Sequence, residues 1–428
     1  MKAKRVLVIS YYWPPAGGIS VLRSLKIVKY LRDFGWEPVV FTASNAHYPY
    51  LDEGGLADVP KNLEILKLPI IEPFKLFKWL TGRKKTDPLN SIVQIKDDKS
   101  SWFDLIGIYL RGNFFIPDAR ALWIQPSVKY LKNYLSTHPV DAIFSDGPPH
   151  TNTVIAYQLK KELGIPWLMD FQDPWTQADY YQMMPIGRRA SIQHRTMEQE
   201  CLHAANKTTI ASNTWKKDLE SIGATNVEVL YYGYDEDDFK QLQKNKPQDT
   251  FDIIHIGLIG HDRAPVDLME VIEKIKSSKP IRLRLAGQID QTVKKQLKQI
   301  AHHVQIDFLG IVSRKNALQL AMNAHLLILL LNQAENAQGR LPGKLYEYLR
   351  TYNPILALGP PASDAHKILK ECNAGICCAY EDQKSQAAYI NLMMRQDTST
   401  VLTDNPTVLN YSNKSQTQKV AQYLEEIL

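Results

Sequence analysis

The stretch LLILLLNQAENAQGRLPGKLYEYLRTYNPILAL, residues 326–358, indicates the fold most directly. Leu326–Leu331 and Ile355–Leu358 are short apolar runs, and a segment with the character of a helix lies between them. Two strands joined by a helix pair in parallel, and a parallel strand without polar residues is buried on both faces. The stretch therefore predicts one strand–helix–strand unit of a doubly wound α/β sheet.

The same alternation of apolar strands and helical segments extends in both directions. The second half predicts further strands at Ile253–Ile259, Leu283–Ala286, Val304–Leu309 and Gly375–Ala379, with helices such as Pro265–Ile275 and Ala365–Glu371. The first half predicts strands at Val6–Ile9, Pro38–Thr42, Ala142–Ser145, Trp167–Asp170, Thr208–Ala211 and Glu228–Tyr231. We therefore expect two doubly wound, Rossmann-like α/β domains that face each other across a cleft.

The domain boundaries follow from composition. Residues 235–250, DEDDFKQLQKNKPQDT, are polar and poor in apolar side chains, which predicts a linker between an N-terminal domain, 1–234, and a C-terminal domain, 251–412. Residues 45–116 are rich in Pro, Lys and aromatic residues and do not fit the alternation, so we interpret them as an insertion. The amphipathic segment 413–428 predicts a final helix, expected to pack back on the N-terminal domain.

Composition excludes several classes of protein. Of the 428 residues, 44% are hydrophobic and 22% are charged, which excludes disordered, collagen-like and coiled-coil chains. A net charge of +6 is too small for this size to indicate nucleic-acid binding. Four unevenly spaced cysteines indicate reduced thiols and no zinc site. The start, MKAKRVLVIS, lacks a signal-peptide pattern, so we expect a cytoplasmic protein, peripheral at most to the inner face of the membrane.

Two motifs of the first domain follow predicted strands and begin helices. In YYWPPAGG, Tyr11–Gly18, two glycines before a helix N-terminus suit a phosphate-bearing ligand, although a turn with positive φ explains them equally well. In SDGPPH, Ser145–His150, the histidine either hydrogen-bonds a sugar hydroxyl or a developing charge, or is a partly exposed residue near a helix start. Neither motif matches a GxGxxG dinucleotide site or a P-loop.

A third motif of the first domain, DFQDPW at 170–175, carries two carboxylates after a strand. Asp173 before Pro174 is typical of an N-cap followed by proline at the first helical position. Asp170, at the end of the strand, is therefore the better candidate for a catalytic carboxylate.

The second domain has two motifs that suit a nucleoside diphosphate. In GLIGHDR, 257–263, glycines with one arginine suit a diphosphate, although a solvated arginine in a loop explains the pattern as well. In GRLPGKLYE, 339–347, free N–H groups at Gly343 and Lys344 begin a helix, and Lys344 adds a charge. Glu347 lies one turn further, where a carboxylate accepts both ribose hydroxyls, or where the helix dipole simply favours it. Together the motifs supply diphosphate donors and a ribose acceptor.

The order of motifs along the chain resembles that of a known family. YYWPPAGG, RGNFFIPDARALW, SDGPPH, DFQDPWT, YGYDEDDF, HIG…R and PGKLYEYL…NPILALGP resemble the retaining glycosyltransferases of family four, in their branch from bacterial polysaccharide gene clusters. The resemblance extends from Val6 to the final helix. It implies the GT-B fold, with a nucleotide-sugar donor on the C-terminal domain and an acceptor on the N-terminal domain.

The resemblance also implies roles for single residues. Arg263 matches the basic residue that holds the donor diphosphate, and Glu347 matches the carboxylate that binds the ribose. The other matches are Gly310, Ile311 and Val312 beside the base, Gly18 near the phosphates and His150 beside the transferred sugar.

The chain departs from the family pattern at three positions. Gly339 stands where the family has the first of two glutamates, eight positions before Glu347, and this change bears on how the sugar is oriented. Leu258 stands where the family usually has arginine, and Gln172 stands where this branch tends to have arginine.

The combined expectation is a glycosyltransferase. It moves a hexose-type sugar from a nucleoside diphosphate sugar to a glycan or lipid-linked acceptor in cell-surface polysaccharide synthesis, with retention as the resemblance implies. Arg263, Lys344 and helix N-termini stabilise the departing diphosphate, so we expect neither a metal nor a cofactor. The alternatives are a nucleotide-sugar epimerase of the same architecture and an inactive scaffold that binds the donor.

A further pattern concerns the membrane. Phe74–Lys85 and Trp102–Phe115 mix aromatic with basic side chains, which suits the surface of an anionic bilayer. Inward packing of the aromatic residues is the alternative.

Overall fold

The computed structural model describes residues 3–48, 50–72, 102–333, 337–395 and 405–428. It confirms the predicted fold class, because the described chain forms two parallel sheets, of seven and six strands, with helices packed against them. The contacts divide the chain into two compact units. Unit 1 comprises Met1–Tyr232 with Asn413–Leu428, and unit 2 comprises Gly233–Ser412.

The strands of unit 1 follow the order β3-β2-β1-β4-β5-β6-β7, and every pairing between them is parallel. They are β1 (Lys4–Ile9), β2 (Trp36–Ala43), β3 (Glu64–Leu68), β4 (Ala142–Gly147), β5 (Trp167–Phe171), β6 (Lys207–Ile210) and β7 (Val227–Val229). The strands of unit 2 follow the order β10-β9-β8-β11-β12-β13, again with every pairing parallel. They are β8 (Phe251–Ile256), β9 (Ile281–Ala286), β10 (Gln305–Gly310), β11 (Leu326–Leu330), β12 (Ile355–Leu358) and β13 (Gly375–Cys378).

The described α-helices connect and cover these strands. They are α1 (Ile19–Leu31), α2 (Trp102–Phe114), α3 (Ile124–Leu135), α4 (Thr151–Leu163), α5 (Asp179–Gln182), α6 (Arg188–Ala204), α7 (Asn213–Ser221), α8 (Val266–Lys274), α9 (Gln291–Ile300), α10 (Arg314–Met322), α11 (Gly343–Thr351), α12 (Asp364–Glu371), α13 (Gln383–Arg395), α14 (Pro406–Leu409) and α15 (Asn413–Glu426). None of the described helices combines the length and apolar character needed to cross a bilayer.

The central strand β1 shows why its sequence is wholly apolar. Successive side chains of a strand point to opposite faces, so Leu7 and Ile9 enter one hydrophobic cluster, whereas Val6 and Val8 enter another. All four side chains are fully buried. A parallel sheet with helices on both faces therefore requires an apolar residue at every position of its central strand.

The final helix, α15, belongs to unit 1 although it follows unit 2 in the chain. Its Val420 and Leu424 are fully buried in the same cluster as Val28 and Leu31 of α1. The amphipathic pattern at the end of the sequence is thus explained by packing against α1.

Each strand predicted from the sequence overlaps an observed strand. β3, however, lies inside residues 45–116, where we had interpreted an insertion. Its sequence, EILKL, gave little signal because it is an edge strand in which only Leu66 is buried. The predicted linker, 235–250, lies within unit 2.

Candidate functional site

The carboxyl ends of three strands of unit 2 meet through glycine backbone. Gly257, after β8, donates its N–H to the carbonyl of Ala286, and Gly287, after β9, donates to the carbonyl of Gly310 at the end of β10. Gly287 has φ +128°, and a Cβ atom there would lie 2.1 Å from the Gly257 carbonyl oxygen. Only glycine permits this approach, which brings the loops after β8, β9 and β10 together.

The Lys344 side chain lies against the backbone of Gly257. A Cβ atom at Gly257 would lie 2.5 Å from Lys344 Nζ, so the absence of a side chain there gives the ammonium group its position. Lys344 is the second residue of α11, whose N-cap, Pro342, supplies no side-chain hydrogen bond. Burial lowers the pKa of Lys344 from its usual value, Arg263 lowers it further, and Glu347 opposes this shift. The sequence motifs 257–263 and 339–347 are therefore brought together.

Arg263 lies at the end of the short 3-10 helix His261–Arg263, and its side chain is 17% exposed. The guanidinium donates two hydrogen bonds to Asp262 Oδ2, at 3.0 and 2.7 Å. Arg263 is thus a largely buried cation that acts electrostatically on Lys344, while Asp262 offsets part of its charge.

Glu347, one turn into α11, is held by a residue that the sequence analysis missed. Arg314 Nη1 lies 2.7 Å from Glu347 Oε1, and Arg314 Nη2 donates to Asp238 Oδ2 at 2.8 Å. Arg314 begins α10, which directly follows the loop of Gly310, Ile311 and Val312. Nothing in the local sequence SRKN distinguishes Arg314 from a solvated charge.

The predicted base-flanking loop ends β10 in a sharp turn. Gly310 has φ +66°, and the side chain of the following Ile311 is 81% exposed. Val312 is partly buried. The loop thus leaves an apolar side chain open to a ligand.

In unit 1, Gly18 is the N-cap of α1. It has φ +97° and gives the helix no side-chain cap, and its carbonyl accepts the N–H of Val21, at 3.3 Å. The positive φ of Gly18 agrees with the turn that the two glycines of YYWPPAGG suggested.

His150 immediately precedes α4 and is 4% exposed. Its ring stacks on Trp175 with the centroids 4.4 Å apart, and Phe171 contacts it edge-on at 5.0 Å. Neither ring nitrogen has a hydrogen-bond partner among the described residues. Burial, with a smaller effect from His194, lowers the pKa of His150 to about 3, so the imidazole is neutral at physiological pH.

His194 on α6 fixes the indole that stacks on His150. Its Nδ1 accepts from Trp175 Nε1 at 3.3 Å, and its Nε2 lies 3.2 Å from the carbonyl oxygen of Gly112 in α2. Because a carbonyl only accepts, the proton of His194 is on Nε2. The sequence gave no signal for this role, since His194 lies within an ordinary amphipathic helix.

Asp170, which the sequence predicted as a catalytic carboxylate, forms a buried ion pair. It is fully buried, and Arg23 of α1 binds it in a bidentate ion pair, with Nε to Oδ2 at 2.7 Å and Nη2 to Oδ1 at 2.6 Å. Thr209 Oγ1 also donates to Oδ1 at 2.6 Å. Both oxygens are engaged within the protein, which indicates a structural role for Asp170; the catalytic role remains a prediction from the sequence.

Asp146 at the end of β4 organises the loop that follows β1. Its Oδ2 accepts from Ser10 at 2.9 Å and from Ser24 of α1, and its Oδ1 accepts from Asn152 of α4 at 2.8 Å. Burial raises its pKa to about 7. The network connects β1, α1, β4 and α4 at one edge of the sheet. Within the described residues, no group of three or more His, Cys, Asp or Glu side chains is arranged to hold a metal ion.

Comparisons with known proteins show the fold. No family model matches the chain, and no curated protein is similar to it at the sequence level. Among solved structures, it is similar to Anabaena Alr3699/HepE in complex with UDP, at 13% identity and a TM-score of 0.63, over 99% of this chain and 100% of that one. It is also similar to the lipopolysaccharide outer core galactosyltransferase WaaB, at 11% identity and a TM-score of 0.60, over 99% and 100%.

A third similar structure comes from Listeria monocytogenes and is assigned as a UDP-N-acetylglucosamine 2-epimerase. It has 12% identity and a TM-score of 0.55, over 99% of this chain and 97% of that one. These likenesses establish that the chain has the GT-B fold of glycosyltransferases, as the sequence motifs implied.

We predict that Asp170→Asn strongly destabilises the protein, because it leaves the Arg23 guanidinium buried without its counter-charge. Breaking a buried pair in this way lowers the free energy of unfolding by about 3–5 kcal/mol. Urea unfolding measures the change. The control is Glu162→Gln, which breaks the half-exposed pair with Lys132 and should cost less than about 1 kcal/mol. Equal losses in the two variants would contradict the structural role of the Arg23–Asp170 pair.

Proposed function

We propose that this chain is a glycosyltransferase that transfers a sugar from a nucleoside diphosphate sugar to a glycan or lipid-linked acceptor. We place it in the retaining family four, in cell-surface polysaccharide synthesis on the cytoplasmic side of the membrane. The observation that carries the proposal is the position of Lys344 Nζ against Gly257, at the uncapped start of α11 and one turn before Glu347.

The diphosphate of the donor binds at the start of α11. The N-terminus of a helix attracts anions through its free N–H groups and the helix dipole. Lys344 adds a cation with little exposure to water, and Arg263 adds a second positive charge nearby. Gly257 lets the Lys344 ammonium lie close to the backbone beside the start of α11, because glycine has no side chain there.

The ribose binds Glu347. Arg314 lies 2.7 Å from Oε1 of this carboxylate and holds it in place, and the carboxylate oxygens accept from the ribose hydroxyls. The base lies against the loop of Gly310, Ile311 and Val312, where the exposed Ile311 side chain covers one of its faces. The complexes of Anabaena Alr3699/HepE with UDP and UDP-glucose make uridine nucleotides the first donors to test.

The chemistry follows from charge. As the bond from sugar to diphosphate breaks, negative charge grows on the leaving oxygen, and the cations of Lys344 and Arg263 stabilise it more in the transition state than in the ground state. Because these charges are supplied by the protein, we propose transfer that needs neither a metal nor a cofactor. A neutral His150 binds a sugar hydroxyl, since both its nitrogens lack partners within the described chain.

A second candidate is a nucleotide-sugar epimerase, favoured by the fold likeness to the Listeria protein. A third candidate is an inactive scaffold that binds the donor, favoured by Gly339 in place of a glutamate.

A thermal-shift screen against UDP, GDP, dTDP and ADP sugars identifies the donor. Assays with EDTA, with and without glycan and lipid-linked acceptors, then distinguish the three candidate functions. Product only with acceptor supports transfer, an altered donor without acceptor supports the epimerase, and binding without turnover supports the scaffold.

The membrane contact is proposed for unit 1. Of the two segments predicted to face the membrane, the structure describes side chains in the C-terminal half of α2, where Tyr109, Leu110 and Phe114 are exposed. It borders exposed Arg188 and Arg189, because Asn113 Oδ1 of α2 accepts from the neighbouring Gly187 N–H at 2.7 Å. The other predicted part, Phe74–Lys85, lies outside the described residues.

We predict that Glu347→Ala weakens binding of the nucleoside diphosphate tenfold to about a hundredfold, because a charge-assisted hydrogen bond to the ribose is lost. Isothermal titration calorimetry with UDP and the other nucleoside diphosphates measures this loss. Glu162→Ala, a half-exposed residue of unit 1, is the control and should leave affinity unchanged. If Glu347→Ala bound every nucleotide as well as the wild type, the ribose role would be wrong.

We predict that Lys344→Met and Arg263→Ala each lower kcat more than they lower the melting temperature, because both charges act on the departing diphosphate. Steady-state kinetics with the donor found in the screen, with melting curves of the same preparations, provide the test. Full turnover, or a collapse of the melting temperature that accounts for the lost rate, would remove these residues from the diphosphate site.

We predict that the protein binds vesicles of anionic lipid, and that Leu110→Ser with Phe114→Ser abolishes this binding. Arg188→Gln with Arg189→Gln should weaken it by about 1 kcal/mol per charge. Flotation at low salt measures the bound fraction. Leu392→Ser removes an equally exposed apolar side chain from unit 2 and should have no effect. Absence of binding to any anionic vesicle would contradict the proposed membrane contact.

A further inference from the structure

His255 in β8 is a buried histidine with one ring nitrogen in a hydrogen bond. It is 3% exposed, and its Nδ1 lies 2.9 Å from the carbonyl oxygen of Ile328 in β11. The pairing of β8 with β11 ends at Ile254 and Leu327, so the His255 ring takes the place of the next backbone hydrogen bond. A carbonyl only accepts, and the proton therefore resides on Nδ1.

The other nitrogen, Nε2, is consequently a bare acceptor. Burial, with smaller effects of Lys344 and Arg263, lowers the pKa of His255 to about 3, so the ring stays neutral and Nε2 stays unprotonated. Nε2 is buried and has no hydrogen-bond partner among the described residues. Burying an acceptor without a donor costs free energy of folding, so the position of Nε2 requires an explanation.

Nε2 faces the same small space as the Lys344 ammonium. A Cβ atom at Gly257 would lie 3.3 Å from His255 Nε2 and 2.5 Å from Lys344 Nζ. Gly257 also has φ +145°, which side chains rarely adopt. Glycine at this position therefore keeps open the space that separates the two nitrogens.

The chemistry of the groups present selects the partner of Nε2. Phosphate oxygens that are ionised only accept, so a bound diphosphate cannot satisfy Nε2 directly. The Lys344 ammonium has three N–H donors and needs only some of them for phosphate oxygens. Because the ammonium and Nε2 both lie within 3.3 Å of the position that a Cβ atom would take at Gly257, Lys344 can supply the missing donor.

We propose that His255 is a positioning residue for donor binding. On arrival of the diphosphate, Nε2 accepts one N–H of Lys344 and thereby directs the other two at the phosphate oxygens. This role rests on the proposed function, because it presumes that Lys344 binds a diphosphate. It gives His255 no contact with the substrate itself.

The role has a consequence for pH. The groups that act on the Lys344 charge are Glu347, which favours it, Arg263, which opposes it, and His255, whose lone pair favours it when the hydrogen bond forms. Burial already lowers the pKa of Lys344. Loss of the acceptor lowers this pKa further, so diphosphate affinity should decline at a lower pH than in the wild type.

Calorimetry with UDP, GDP, dTDP and ADP as probes tests the proposal on the full chain. With the diphosphate that the wild type binds, His255→Leu should weaken affinity about tenfold or more and move its alkaline decline to lower pH. His255→Gln should retain most of the affinity, because its amide donates to Ile328 and its oxygen accepts from Lys344. The matching nucleoside, which has no phosphate, should bind equally to all variants.

A double-mutant cycle gives the sharpest result. If His255 acts through Lys344, then His255→Leu combined with Lys344→Met should bind the diphosphate no more weakly than Lys344→Met alone. Additive losses, unchanged affinity in His255→Leu, or an equal loss in His255→Gln with an unshifted pH profile would each overturn the role of His255. If the wild type bound none of the four diphosphates, the proposed function itself would fail, and the role of His255 with it.

Discussion

Parallel pairing in both sheets is the constraint on which the candidate site depends. Parallel strands need crossover helices, so the carboxyl ends of neighbouring strands emerge at one edge of a sheet, where ligands of open α/β sheets bind. In unit 2 the loops after β8, β9 and β10 meet there through the backbone of Gly257 and Gly287. Lys344 then enters the space that Gly257 leaves, because α11 begins beside it.

The charged groups of the two units are used in different ways. In unit 1, Arg23 binds both carboxylate oxygens of Asp170, which makes the pair a structural tie between β5 and α1. In unit 2, Lys344 is a cation held with a lowered pKa, and Nε2 of His255 has no hydrogen-bond partner among the described residues. An ionisable group with unused hydrogen-bonding capacity is a better candidate for function than one that is fully paired.

A shared fold does not by itself establish a shared function, because unrelated activities use the same architecture. The structures similar to this chain include a galactosyltransferase and a protein assigned as an epimerase, all at low identity. The proposal of sugar transfer therefore depends on particular residues, above all Lys344 and Glu347. Gly339 offers no side chain to a ligand, so the proposed site depends also on Arg314, which holds Glu347, and on the proposed role of His255.

The sequence alone determined the fold class and most strands, because apolar runs and helical periodicity are local properties of the chain. It also placed Lys344 and Glu347 on one helix, since their spacing is local too. It did not reveal the Arg23–Asp170 pair, the Arg314–Glu347 pair or the contact of His255 with Ile328, and it suggested a catalytic role for Asp170. Each of these joins residues distant in sequence that meet only when the strands and helices pack in the folded unit. Tertiary structure therefore decided which polar residues are paired and which remain available to a ligand.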